Sequence, residues 1–474
     1  MSINTGHSKS AYEPPHDGFA RLASAILRQV WPILISQWVG VAFAIIDSVM
    51  LGNFSVQALQ TISIAASIYV TIVISLMGVV HALIPICSQV IGANKYEDVG
   101  ELFSQGIWVS LLMSLVAAFA LLKPDFLMNL AGELSEQTRT DVTNYLRYSF
   151  YGVPAALLFR VVYSVCTASQ RTSTVMYLSV ASLPLKFFIN WVLIFGNLGF
   201  NSMGSDGAGI STAAVSWFQL LCGLWILFSD AFYKRYKLRL SLPKLQGMME
   251  ILRLGIPMGA SYLVEICAFT FITLFVAREG AYASGAHQIL SNLISFTYMI
   301  PMSIGIATAA LAARALGAKQ WETAHRSVIA GFALGIIGLL ITIVVVLLTK
   351  QQIISLYTQN LEVALIASGL LSFFPFIHFW DALQCLNTYA LRAHRIATIP
   401  LVLQTISLLG IGIGVGYYAG FGPAKGAFEF ITNTLIPNAT TGLASLWLMN
   451  AVSLMICAMV LHAWYWHVYR KNII

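Results

Sequence analysis

Charge is what this sequence has least of. Asp, Glu, Lys and Arg together make up 9% of its 474 residues, where a soluble chain uses about 25% to keep its surface wet. With 58% hydrophobic residues and a mean hydropathy of +0.78, a soluble globule is excluded. No stretch alternates apolar and polar residues in the two-residue rhythm of a membrane β-barrel. Backbone N–H and C=O groups inside the bilayer must therefore be satisfied within helices. No G-x-x-x-x-G-K-[ST] sequence occurs, which argues against an ATP-driven pump. Neither a catalytic triad nor a metal-hydrolase motif is present, so the chain reads as a non-enzyme with no cofactor. The six cysteines (87, 166, 222, 267, 385 and 457) lie in apolar stretches without a C-x-x-C pair; they are expected as packed thiols rather than disulfides or metal ligands.

What is present is a succession of apolar runs long enough to cross the ~30 Å hydrocarbon core, which takes about 20 residues each. Twelve are expected, over 24–49, 57–82, 102–122, 143–167, 174–196, 208–231, 249–276, 284–312, 326–349, 362–390, 396–419 and 443–468. The fold class is an all-α polytopic membrane bundle. Residues 1–20 are polar and read as a flexible tail; the run that follows lacks an A-x-A cleavage site and is kept as the first span. If the N-terminus is cytoplasmic, the loops on that side carry 18 of the 26 Lys and Arg residues and the opposite loops carry six. That bias places both termini in the cytoplasm. It accounts for the net charge of +7 without any nucleic-acid partner.

The chain is also written twice. "QVIGANKYEDV" (89–99) returns as "RALGAKQWETA" (314–324), and the same offset of 225 residues carries Pro32 onto Pro257. A second echo pairs "ASQR" (168–171) with "RAHR" (392–395) at an offset of 224. Internal symmetry of this kind marks transporters built from two repeats that rock about a central site. Six spans per half make the copies parallel. The expected organisation is a tail at 1–20, an N-terminal lobe at 21–232, a basic cytoplasmic linker at 233–248 and a C-terminal lobe at 249–474. One chain supplies both repeats, so a monomer is the expected unit.

Three of the 19 acidic residues fall well inside spans: Asp47 in "AIIDSVML", Glu265 in "SYLVEICAF" and Asp381 in "HFWDALQC". Each costs about 2.5–3.5 kcal/mol against insertion at a helix centre. Buried pairing would offset that cost, but only Arg160 and Lys186 lie within spans, and two cations cannot neutralise three acids. At least one acid must take a proton, bind a cation or face a wet cavity. Tyr262 stands at i−3 from Glu265, His378 and Gln384 flank Asp381 at i−3 and i+3, and Tyr298 offers a phenol from the next span. Aromatic and methionine residues left over from packing would line an apolar cavity suited to lipophilic cations.

These residues resemble the multidrug and toxic compound extrusion (MATE) transporters, in particular their NorM-like bacterial branch. The resemblance runs along essentially the whole chain. It is carried by "IDSVMLG" with Asp47, "IGANKYEDVG", "GIPMGASYLVEICAF" with Glu265, "YMIPMSIG" with Tyr298 and "WDALQCLNTYALR" with Asp381. It implies two six-helix lobes in a V, in a bacterial inner membrane, exchanging organic cations or other amphiphilic drugs for Na⁺ or H⁺. It assigns Glu265, Tyr298 and Asp381 to cation binding, with Na⁺ as the candidate metal, and Asp47 to coupling. Two departures stand out. "PLKFFINWVLIFG" has Lys186 where the family has Asn, four residues before Asn190, and a Lys186–Asp47 pair is expected; "LYTQNLEV" has Gln359 and Asn360 where some relatives carry acids. The alternative function is a lipid-linked saccharide flippase of the same wider superfamily, which would hold anionic headgroups on clustered intramembrane bases. A channel would require a ring of like residues from symmetric subunits.

Overall fold

The computed structural model describes residues 18–125, 128 and 135–473. Residues 1–17 of the expected tail therefore lie outside the described residues. Among the described residues the chain is helical throughout, without strands. The first half comprises α1 (Phe19–Phe54), α2 (Val56–Val80), α3 (Leu83–Gly92), α4 (Asp98–Leu122), α5 (Glu136–Phe150), α6 (Val153–Ala168), α7 (Thr172–Phe195) and α8 (Gly204–Ser229). The second half comprises α9 (Leu245–Val276), α10 (Ala281–Gly317), α11 (Trp321–Leu348), α12 (Lys350–Tyr357), α13 (Leu361–Ala393), α14 (Thr398–Gly420), α15 (Glu429–Leu435) and α16 (Thr441–Ile473). Among the described residues eleven helices, with α2 and α3 forming one, are long and apolar enough to cross a membrane; α5 with α6, bent by 44°, makes a twelfth when the two are taken as one span.

That bend falls inside the run expected as one span at 143–167. Gly152 sits where a Cβ would come within 2.5 Å of the Ala213 Cα, and Pro154 lies in the first turn of α6. A missing side chain lets two backbones touch, while a missing N–H interrupts the hydrogen-bond ladder. A second irregularity lies in α14, where Thr405–Val415 is wound as a π-helix. Glycines at 410, 412, 414 and 416 weaken the α preference of this stretch. The segment 237–244 is irregular and rests on α4, with the Trp108 indole donating to the Ser241 carbonyl at 2.8 Å and Lys244 N donating to Gln105 Oε1 at 2.8 Å.

The repeat is visible in the backbone. Asn94 and Lys319 both adopt φ 59°, and Gln170 and Arg395 adopt φ 62° and 60°. The turn bonds match as well: Lys95 N to Val90 O recurs as Gln320 N to Ala315 O, and Arg171 N to Cys166 O as Ile396 N to Leu391 O. All of these pairs are separated by 225, so the second echo is one residue out of register at 224. Where the halves meet, a Cβ on Gly92 would lie 1.9 Å from the Arg314 carbonyl oxygen, and a Cβ on Gly317 would lie 1.9 Å from the Gln89 carbonyl oxygen. The two contacts exchange under the same offset, which puts a pseudo-two-fold axis between them. Further along, α2 crosses α9 with Gly78 against Tyr262, and Trp38 of α1 stacks on Phe296 of α10 with centroids 5.0 Å apart.

Candidate functional site

In the second half, four helices bring polar groups to one partly buried place. Glu265 comes from α9, Tyr298 from α10, Asp381 and Gln384 from α13, and Gln404 from the start of the π-helical turn in α14. Pro257, Pro301 and Pro375 lie inside α9, α10 and α13; each removes a donor from the helix that presents a site residue. Glu265 Oε1 accepts the Gln404 amide at 2.8 Å and the Gln384 amide at 3.3 Å. Asp381 is 6% exposed and stands within electrostatic reach of Glu265 and Tyr298. Among the described residues no cation comes within 4 Å of either carboxylate. Gln404 is fully buried, and its Oε1 has no partner.

With Asp381 buried and Glu265 partly buried, two carboxylates in electrostatic reach of each other do not both hold a charge without a positive partner. No cation bonds the set directly: the Arg392 guanidinium acts on Glu265 only from a distance and is bonded to Tyr262, and spare oxygens remain on Glu265, Asp381, Tyr298 and Gln404. It suits a proton or a hard monovalent cation. No group of three His, Cys, Asp or Glu side chains placed to hold a metal occurs among the described residues, so the donor set is not that of a transition metal.

Two expected neighbours turn elsewhere. His378 makes no bond to Asp381; its ring stacks on Phe374 at 5.0 Å and both ring nitrogens lack partners. Tyr262 faces the seam between the halves, where its hydroxyl bonds that of Tyr389 at 2.8 Å and accepts from Arg392 at 3.1 Å. Arg392 and Arg314, counted among the loop cations, are 3% and 7% exposed within α13 and α10. Gln384 does join the site, but through Glu265 rather than Asp381. Gln404 escapes sequence reasoning because a lone amide in "IPLVLQTIS" carries no charge; its signal is only a polar side chain in an apolar run.

In the first half, Asp47 of α1 meets α7. Its Oδ1 accepts from Lys186 Nζ at 2.8 Å and from Asn190 at 2.7 Å. Lys186, 1% exposed, also donates to Thr212 Oγ1 of α8 at 2.8 Å. It does not snorkel to a headgroup region. The pair lines a cavity of about 290 Å³ formed between first-half helices. Asp47 therefore lies apart from Glu265, Tyr298 and Asp381 as a second polar centre. The offset of 225 does not relate the two: it would place Asp47 on Ile272 and Glu265 on Gly40.

A family model described as MatE matches residues 32–192 and again 257–418. Together these cover about two thirds of the chain, and the two matches begin 225 residues apart, as the turns do. The chain belongs to the MatE family, on its NorM-like branch. Among curated relatives of this MATE chain, a probable multidrug resistance protein NorM of Aromatoleum aromaticum is 30% identical over 413 residues, covering 86% of this chain and 88% of the relative. The multidrug resistance protein NorM of Vibrio vulnificus is 28% identical over 404 residues, covering 85% and 88%. Among solved structures, the eukaryotic MATE transporter AtDTX14 superposes with a TM-score of 0.83 at 19% identity, over 96% of this chain and 99% of that one. At that identity the likeness speaks to the fold: an all-α MATE bundle.

Proposed function

We propose that this MATE-family chain is a secondary multidrug efflux antiporter that exports organic, lipophilic cations in exchange for Na⁺ or H⁺. The observation that carries the reading is a buried Asp381 and a partly buried Glu265 within electrostatic reach of each other, with no cation within 4 Å of either among the described residues. A site that requires one positive charge takes either the coupling ion or a cationic drug. Two cations competing for the same carboxylates supply the coupling, because binding of one lowers the affinity for the other. Residues 21–232 and 249–474 act as two rocking bodies joined by 233–248, in a bacterial inner membrane with both termini cytoplasmic, and one chain is the working unit. An anionic C-half site argues against the flippase alternative.

The test is transport by vesicles holding the purified protein, with a Na⁺ or a pH gradient imposed separately and efflux of a fluorescent lipophilic cation followed. One of the two gradients is expected to drive efflux. Glu265→Gln and Asp381→Asn are each expected to reduce the rate at least tenfold at unchanged protein level. Normal export by both variants would overturn the site.

A further inference from the structure

The first-half cavity carries more positive charge than negative. Asp47 is committed to Lys186 and Asn190 at 2.8 and 2.7 Å, so the pair contributes no net charge. Arg160, at mid-length of α6, lines the same cavity. Among the described residues no carboxylate lies within 4 Å of its guanidinium. Its one hydrogen bond there runs from Nε to the Met77 sulfur at 3.2 Å, a weak acceptor. Its remaining contact is the Tyr163 ring, 5.4 Å from Cζ to centroid. The Tyr163 hydroxyl is buried without a partner, and the Tyr163 side chain lines the cavity. A guanidinium has five N–H donors in a planar fork matched to a carboxylate; here one meets the Met77 sulfur, and the carboxylate that lines the cavity, Asp47, is already held by Lys186 and Asn190.

We infer that this cavity is a subsite for the carboxylate end of an aromatic amphiphile, with Arg160 as the ion-pairing residue and the tyrosine rings as its walls. The inference rests on the reading of the chain as a carrier of amphiphiles and narrows it: the preferred cargo pairs a cationic aromatic system with an acidic group. About 290 Å³ takes a carboxyphenyl ring rather than a whole drug. Gln37, which lines the cavity, also donates to the Met302 sulfur of the second half at 3.8 Å, so the cavity reaches the seam where the rest of the molecule would lie. The anion-binding and cation-binding centres then fall in different halves.

Rhodamine B and its ethyl ester share one cationic ring system and differ in the free carboxylate. Their binding to the full chain in detergent, read by fluorescence polarisation, tests the inference. Wild-type protein is expected to bind rhodamine B on the order of tenfold to a hundredfold more tightly than the ester, the range of a charge-assisted hydrogen-bonded pair. Arg160→Gln should remove that preference while leaving ester affinity within about twofold, and Arg160→Lys should retain part of it. Equal wild-type affinity for the two dyes would overturn the subsite, and this comparison stands even if Arg160→Gln does not fold. A preference that survives in a folded Arg160→Gln protein would overturn it too. Because binding is read at equilibrium, failure of the vesicles to export either dye counts against antiport alone.

Discussion

Asp47 and Lys186 illustrate how one substitution changes what a buried acid can do. An Asn at 186 would leave the Asp47 carboxylate one positive charge short; the ammonium at 2.8 Å supplies it. We propose that this pair takes Asp47 out of cation binding, which leaves ion coupling mainly to Glu265 and Asp381. Lys186→Asn is expected to alter the pH dependence and substrate range of export in resistance and efflux assays; unchanged behaviour in both would sink that role. Removing one partner of a buried pair costs about 3–5 kcal/mol, whereas replacing both with apolar residues is often neutral. Lys186→Met should accordingly lower the melting temperature, and Lys186→Met with Asp47→Leu should recover most of the loss. A second residue ties stability to acidity. Burial, with His325 adding to it, pushes the His394 imidazole between α13 and α14 down to about 4. The unfolded chain takes up that proton near the ordinary value of about 6.5, so stability is complete above that pH and declines as pH falls towards 4. Melting curves at pH 7.5, 5.5 and 4.5 should show the decline, and His394→Gln should flatten part of it.

At the scale of elements, close approach is bought with glycine. A methyl group on Gly92 or Gly317 would sit 1.9 Å from a backbone oxygen of the other half, and neither oxygen belongs to a side chain that could swing away. Overpacking of this kind costs about 1–3 kcal/mol, occasionally more. Gly92→Ala and Gly317→Ala should each lower the melting temperature by a similar amount, because the two contacts are symmetry mates. Gly40→Ala is the control: a methyl group there, inside α1, would meet no atom within 4 Å, and the substitution should raise stability slightly by restricting the unfolded chain. The π-helical turn of α14 has a different consequence. An i→i+5 ladder rotates everything that follows relative to an α-helix, and such turns cluster at functional sites. Here it begins one residue after Gln404, whose amide fixes Glu265.

For the whole molecule, the even number of spans puts both chain ends and the loops at 93–97, 169–171 and 318–320 on one side. From the 18-to-6 distribution of Lys and Arg we propose that this side is cytoplasmic; Arg314 and Arg392, which lie in the last turns of α10 and α13 rather than in loops, leave the sign of the bias unchanged. In intact cells, an impermeant thiol reagent should label Asn197→Cys and Gln359→Cys but not Lys95→Cys or Lys319→Cys. Labelling in the reverse pattern would invert the proposed direction of transport. The halves share one backbone design but not one chemistry: the turns coincide at an offset of 225, while no site acid has an acid at its counterpart. A symmetric frame supports rocking, and an asymmetric distribution of charge separates the two polar centres.

The sequence alone determined the class of fold, the spans to within several residues at most ends, the doubling and the three acids, because hydropathy and intramembrane charge are properties of local composition that no packing can reverse. The Lys186–Asp47 expectation came from the family resemblance, in which the position of Lys186 faces the acid at Asp47. Tertiary structure decided everything that depends on rotation about a helix axis. Spacing along one helix put His378 with Asp381 and Tyr262 with Glu265, but the rings turned to Phe374 and to the seam. The amides that hold Glu265 came instead from α13 and α14, more than a hundred residues away. Uncharged groups such as Gln404 leave no mark in a search for charge, and only the folded chain shows which buried carboxylate lacks a cation and which buried cation lacks an anion.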